Sequence, residues 1–391
     1  MFCNCFVVVF YLLYFCIVTV RGHSDRYTEG HFIAKYFHFL EFDKSNCPKE
    51  TWLNEMHRVD PNPDKLFIHI GSNKGYQFAQ WMSLWTPELK INRKTWFDSM
   101  HLLCPALSGE DLCGDCHDCK IEEESYHRDL QNRLDTTANT NINLITNRSL
   151  TLIGLDINPT ANELIENITN QYQYKMNNIN SKMFDYRLPS VFTYNVAASA
   201  SGMTGETVST RDCAGLSENC KITKLDTTAG TDNGKVMTIG LDDFLHSIST
   251  APSPVLEGPA SLVNYSGHVE IDADVDDEMK EVGKKFDFRI YHKRMIDMLV
   301  VSTGGSGSDA QVVLSAMGHM TQNRIRCIRF EYNSHCPWPK TPLLKFVREL
   351  NSINRYICYF EGQGRLFRIN GFLDPLYEFQ APNGTSTNII C

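Results

Sequence analysis

"LFIHIGSNKGYQF", residues 66–78, runs from a mostly apolar stretch straight into a turn framed by Gly71 and Gly75, and then into a second, largely apolar segment. Leu66 to Ile70 carries the β-branched and aromatic residues of a strand buried on both faces. Glycines at 71 and 75 permit a tight turn and let a ligand approach backbone amides where a Cβ would intrude. Tyr76 to Leu84 reads as a helix whose first N–H groups suit an anionic group. Strand, glycine turn and helix in this order open many nucleotide-binding α/β domains. The spacing Gly71-Ser72-Asn73-Lys74-Gly75 is not the G-x-G-x-x-G that presses backbone onto a pyrophosphate. Taken alone, the turn is equally well a plain strand-to-helix connection.

Outward from this stretch, apolar runs alternate with helical patterns. After 66–70, strands are expected at 150–159, 191–199, 295–303, 325–332, 355–360 and 365–369, with helices at 160–171, 309–318 and 342–353. Such alternation predicts an α/β fold, a mainly parallel seven-stranded sheet with helices on both faces. Two long insertions interrupt it, at about 86–148 and 246–290, within a domain spanning 64–375. Residues 25–63 precede that domain as an extension, and 376–391 follow it as a tail.

The strand at 150–159 closes on Asp156. An acid there is placed to accept hydrogen bonds from both hydroxyls of a ribose; as a helix N-cap or turn carboxylate it would be ordinary. Together with the glycine turn it fits a nucleoside that lacks a pyrophosphate. S-adenosylmethionine is such a ligand, its amino-acid end on the turn and its ribose on the acid.

Composition narrows the choice. The chain has 391 residues, 42% hydrophobic and 21% charged, with a net charge of -9, so no basic stripe is available to neutralise nucleic-acid phosphates. Much of the acid sits in "EIDADVDDEMKE", 270–281. A calcium loop of the EF-hand type would need glycine at its sixth position and an acid at its twelfth, where Asp277 and Gly283 stand, so a solvated acidic loop is the favoured reading.

Residues 1–24 read as a signal peptide or membrane anchor, with an unbroken apolar run from Cys5 to Val18 and Arg21 beyond it; anchoring would fall to residues 5–20. The flanking charges do not favour lumenal placement of the body, but 14 cysteines are many for a cytosolic chain. Among them Cys104, Cys113, Cys116 and Cys119 lie close together beside His117. Zinc is one reading of these spacings and disulfides are the favoured one, with Cys213 and Cys220 as a further local staple. No metal site is expected. Glycosylation sequons at Asn147, Asn167, Asn264 and Asn383 permit a secretory route, secreted or lumenal in the Golgi or endoplasmic reticulum.

In ordered blocks over residues 64–372 the chain resembles the FkbM-type S-adenosylmethionine-dependent methyltransferases. "FIHIGSNKGY" looks like the family's first motif, and "LIGLDINPTANELIENI" is similar to its second-strand block. "NVAASASGMTGE" is similar to the small-residue stretch after the third strand, and "TIGLDDFL" to the Leu-Asp-Asp block. "MIDMLVV", "IRFEYNSHCPW" and "NRYICYFEGQGRLFRING" resemble the later strands. The resemblance implies a Rossmann-like methyltransferase fold and cofactor contacts at Gly71, Ser72, Asn73, Gly75, Asp156, Asn158 and Ala197. It also implies O-methylation of a sugar or other hydroxyl compound, with a small-molecule or glycan acceptor.

The sequence departs from the pattern twice. His69 stands where the family has an acid in the first strand; a histidine of the core or turn is the plain alternative. After "MIDMLVV" the acidic motif is replaced by "STGGSGSDAQVV", with Ser302 at the acid's station and only Asp309 left nearby. The base that takes the acceptor's proton is then sought in Glu331 first, then Asp309 and His335; Glu331 serves equally as a structural acceptor. A catalytically silent relative, kept as a binding or structural glycoprotein, is the alternative. A nicotinamide oxidoreductase is discouraged by the missing pyrophosphate fingerprint.

Overall fold

The structure is a computed structural model that describes residues 51–60, 64–105, 107, 112–113, 150–180, 189–199, 204–211, 216, 221–223, 235–250, 295–303, 308–333, 342–362, 365–371 and 386–391. The leader at 1–24, most of both insertions, the glycine run 304–307, His335 and the Cys213/Cys220 pair lie outside these residues.

The described helices are α1 (Thr51–Val59), α2 (Tyr76–Trp85), α3 (Arg93–Leu103), α4 (Pro159–Asn180), α5 (Leu241–Thr250), α6 (Asp309–Leu314), α7 (Met317–Thr321) and α8 (Leu343–Asn354). The strands are β1 (Lys65–Ile70), β2 (Leu150–Asp156), β3 (Ser190–Ala198), β4 (Thr207–Arg211), β5 (Lys221–Thr223), β6 (Lys235–Ile239), β7 (Met298–Val301), β8 (Ile328–Asn333), β9 (Tyr359–Gly362), β10 (Arg365–Arg368) and β11 (Ser386–Ile390). They form one open sheet in the order β10-β9-β11-β8-β7-β1-β2-β3-β6-β4-β5. The six central strands, β8 to β6, are parallel throughout, and antiparallel pairings extend both ends. The α/β class and the mostly parallel sheet agree with the sequence pattern.

The strand number does not agree. The sheet has eleven strands where the apolar runs predict seven. The four additional strands are β4, β5, β6 and β11. β5, "KIT", is too short to carry a period. β4, "TVSTR", and β11, "STNII", are polar in most positions because they add to the sheet antiparallel at its flanks. β11 falls in the stretch read as a tail, yet it fills the slot between β8 and β9. Residues 93–103, read as part of an insertion, form α3, whose Trp96 and Met100 are fully buried. Asn92 starts that helix through a reciprocal cap with Thr95.

Two cores result, one per sheet face. Because side chains alternate along a strand, Ile68 and Ile70 of β1 join Ile153, Leu299 and Phe330 beneath helices α5 to α8, where Phe244, Val313, Phe346 and Leu350 close the layer. Phe67 faces the other way, with Leu152 and Val300, against Leu53, Phe78, Trp81, Trp85, Trp96 and Ile165 of α1 to α4. A buried ion pair ties α1 to the sheet: Arg329 of β8 donates to Glu361 of β9 at 3.1 and 3.0 Å, and the Trp52 indole donates to the other Glu361 oxygen. Arg329 also donates to Gln77 of α2 at 3.2 Å.

Cys358 and Cys391 form a disulfide across a sequence separation of 33 residues, fastening the end of β11 beside β9. Cys113 is also disulfide-bonded, whereas Cys104 is a free thiol, which corrects the expectation that its whole cluster is oxidised. Opening the Cys358–Cys391 loop by a double serine substitution is expected to lower stability by about 3–4 kcal/mol for a loop of this length. Urea unfolding of that variant against the wild-type chain measures it.

Candidate functional site

The register of the parallel strands sets the site. Phe330, Val301, Ile70, Leu155 and Tyr194 are neighbours in one row across β8, β7, β1, β2 and β3. The next row is the carboxyl edge, and it carries Glu331, Ser302, Gly71, Asp156 and Asn195. Ligands of open α/β sheets gather at this edge, beside the strand from which the order runs in both directions; here that strand is β1. With strands about 4.8 Å apart, Glu331 and Asp156 stand roughly 14 Å from each other along the row.

Gly71 adopts φ 77°, Asn73 φ 46° and Gly75 φ 76°, all left-handed. The Gly71 amide donates to the Leu155 carbonyl at 2.7 Å, so the turn leans over the end of β2, while the Ser302 amide donates to Ile70 at 2.9 Å. A Cβ on Gly71 would lie 1.8 Å from the Ser302 carbonyl oxygen, and one on Gly75 would lie 2.9 Å from Ile165 Cγ1. Both glycines are therefore required by packing as well as by φ. Gly154, in the middle of β2, makes room for Ser72, whose Oγ would be 2.8 Å from a Cβ there. Among the described residues the buried Ser72 hydroxyl finds no hydrogen-bond partner.

Asp156 joins the turn to β2. Its Oδ2 accepts the Asn73 amide at 2.6 Å and its Oδ1 the Asn158 amide at 2.8 Å. Burial pushes this carboxyl above its ordinary range, against the pull of the Asn158, Asn73 and Ile157 amides. Asn158 accepts from the amides of Thr160 and Ala161 at 3.0 and 3.4 Å and so caps α4, which explains Asn-Pro at this point. Asn162 Nδ2 reaches back to the Asp156 carbonyl at 3.1 Å.

The amides of Gly71, Ser72, Asn73 and Gly75 do not stand free for an anion: they bond to Leu155, Leu155, Asp156 and Ser72 respectively. The turn needs these bonds because its left-handed residues pull the chain away from any helix or sheet ladder that would otherwise satisfy the groups. Ala197 is fully buried in β3, paired with Thr238 of β6. His69 packs edge-on to Phe78 at 6.3 Å and tilted against Trp81 at 6.1 Å, among the aromatic residues under α2.

At the other end of the row, Asp309 and Glu331 come together. Asp309, 2% exposed, opens α6. Its Oδ1 takes the Thr303 amide at 3.1 Å and the Thr303 hydroxyl, and its Oδ2 takes the Glu331 amide at 3.1 Å. Burial foremost, with the Thr303 hydroxyl opposing and the Glu331 charge adding, pushes its carboxyl up to about 7. Glu331 is half-buried, paired with Asn388 of β11. Thr303 and Ser308, whose hydroxyls lie 3.0 Å apart, are missed by the sequence reading. Their signal is the pair of hydroxyls flanking the glycine run. Among the described residues no cluster of His, Cys, Asp or Glu is arranged to hold a metal ion.

Compared with protein-family models, with curated proteins and with solved structures, the chain matches none.

Two outcomes follow from this geometry. Gly71→Ala is expected to destabilise the fold by about 2 kcal/mol or more, since a left-handed φ and a backbone clash combine; chemical denaturation reads it. Between its ordinary 3.8 and about 7, Asp309 holds a proton in the folded state that it has released in the unfolded state. Stability therefore falls as pH rises through that window, by up to about 1.4 kcal/mol per pH unit. Asp309→Asn removes that slope, so unfolding free energies of wild type and variant at pH 4 to 7 should differ in pH dependence as well as in level.

Proposed function

We propose that this chain has a Rossmann-like methyltransferase fold and acts as an S-adenosylmethionine-dependent methyltransferase of the FkbM type, on a sugar or other hydroxyl acceptor in the secretory pathway. The observation that carries the reading is the 2.6 Å hydrogen bond from the Asn73 amide to Asp156. It sets the glycine turn and the acid of β2 side by side at the carboxyl edge, next to the strand where the sheet order reverses. Had the turn and the acid stood apart, no nucleoside could span them.

The donor set fits the ribose end. Asp156, whose Oδ2 and Oδ1 accept the Asn73 and Asn158 amides, is the group to meet the sugar hydroxyls, at the station where the acid ending the second strand meets them in nucleotide-binding α/β domains. The four turn amides that bond inward do not hold the amino-acid end. S-adenosylmethionine, when bound, supplies the electrophilic methyl carbon. The rest is positioning, which converts a bimolecular encounter into an oriented one. Glu331, half-buried at the far end of the same row, is the group to take the acceptor hydroxyl's proton. Asp309, with both oxygens engaged, braces β7 and β8 around it.

Secretory placement is supported by the apolar leader and by the Cys358–Cys391 disulfide. Among the described residues no helix is long and apolar enough to cross a membrane, so anchoring rests on residues 5–20. The silent, ligand-binding or structural glycoprotein is the second reading. The inward-turned amides of the 71–75 turn favour it.

Titration calorimetry of the full chain with S-adenosylmethionine separates the two. Saturable binding is expected, and Asp156→Asn is expected to weaken it about ten- to a hundredfold, the cost of a hydrogen bond to a charged group. A melting curve run in parallel checks that the variant is folded. No heat of binding to a folded wild-type chain rejects the enzyme. Where binding is seen, labelled methyl donor and a glycan extract test turnover.

A further inference from the structure

Asn167 stands on the outer face of α4, exposed together with Glu163, Glu166 and Asn170, while Leu164, Ile165 and Ile168 between them turn into the core. Among the described residues nothing packs over this strip; Glu166 reaches only sideways, accepting the Thr193 hydroxyl at 2.7 Å. Asn167-Ile168-Thr169 is an acceptor motif for N-glycosylation. Its two functional groups have opposite fates in the fold. The asparagine amide faces water, whereas Thr169 is 7% exposed and its hydroxyl donates to the Ile165 carbonyl at 2.8 Å.

We propose that Asn167 carries an N-linked glycan, and that the glycan is added before α4 docks on the sheet. The proposal rests on the secretory reading above and not on methyl transfer. In the step, Asn167 Nδ2 loses a proton and forms a C–N bond to the anomeric carbon of a lipid-linked glycosyl diphosphate. The anomeric C–O bond breaks and the lipid diphosphate leaves. The transferring enzyme must engage the hydroxyl of the motif, and in the folded chain that hydroxyl is covered and already bonded. Transfer is therefore confined to the chain before it folds. Once attached, the sugar projects from a strip of α4 whose described residues, Glu163, Glu166, Asn167 and Asn170, are all polar and exposed, so this part of the fold accommodates it without rearrangement.

The test is glycopeptide mapping of the full chain expressed in a secretory eukaryotic cell. Glycan at Asn167, lost completely in Asn167→Gln and in Thr169→Val and retained in Thr169→Ser, is the expected result. Val fills the buried Thr169 site with nearly the same shape, so a folded Thr169→Val chain shows that the motif, not the fold, was removed. A bare Asn167 overturns the proposal, whether Asn147, Asn264 and Asn383 are modified or not. For the order of events, chain made without glycan under blocked donor synthesis is offered to microsomes with the lipid-linked donor, folded or freshly diluted from denaturant. Modification of the unfolded chain alone is expected, and equal modification of the folded chain overturns the order. Neither result depends on the calorimetric one, so failure here and failure of cofactor binding are told apart.

Discussion

The Asp156 carboxylate is the constraint from which the carboxyl edge of the sheet is built. It is 8% exposed, and burial of an ionised carboxylate costs several kcal/mol unless its oxygens are met by donors. They are met by backbone: the Asn73 amide from the turn after β1 and the Asn158 amide from the start of α4. Hydrogen bonds to a charged group contribute about 1.5–3 kcal/mol each, enough for these contacts to offset most of the desolvation. One side chain thereby fixes three segments, the end of β2, the glycine turn and the first turn of α4. The left-handed Gly71, Asn73 and Gly75 are the conformations that bring the Asn73 amide round to it.

The same device recurs along the edge. Asp309 accepts the amides of Thr303 and Glu331 and so holds the end of β7 to β8. Asp242, at the start of α5, accepts the amides of Gly318 and His319 at 2.7 and 3.0 Å and the His319 ring at 2.8 Å, tying α5 to α7. Gly318 leaves room for that carboxylate, since a Cβ would lie 2.8 Å from Asp242 Oδ2. A parallel sheet ends its strands on one side in a fringe of loops whose polar groups have no ladder to join. Short acids at the start of the following helices satisfy those groups and complement the helix dipole at once. The Leu-Asp-Asp block at 241–243 thus has a structural use independent of any ligand.

How far the sequence carried depends on what each residue answers to. β1, β2 and β7 answer to burial on both faces, and their apolar runs are unmistakable; so is the glycine turn, since no other residue fits Gly71 against Ser302. Gly154 was not singled out, although a glycine inside a buried strand marks a close approach, here by Ser72. β11 and β4 were not legible, since each is mostly polar and is placed by strands on both sides of it, β11 between β8 and β9 and β4 between β6 and β5, rather than by apolar content of its own. The hydrogen-bond partners of the acids were not legible either. Asp156 and Asp309 stand in sequence where ligand-facing acids stand, and nothing in the spacing of residues tells whether such an acid accepts from a ribose or from the backbone beside it. Only the path of the turn decides, and that path is set by tertiary contacts 83 residues apart in the case of Asn73 and Asp156.

The distribution of these acids bears on what chemistry the edge supports. Asp309 has the protonation range of a general base, near neutral, yet both its oxygens serve the backbone and its exposure is 2%. A base must reach its proton before its pKa matters, so this carboxyl is well tuned and out of reach. Glu331 is the converse: its side chain is half-buried and its backbone, not its carboxylate, is what Asp309 holds. Asp309 therefore acts on the row through Glu331, fixing the strand from which that side chain projects and raising by its own burial no competing charge beside it while protonated. Glu331 and Asp156 thus stand on one row, held apart by three hydrogen-bonded strand spacings, and the row is ordered by backbone bonds to acids rather than by the acidic motif that the glycine-rich run replaces.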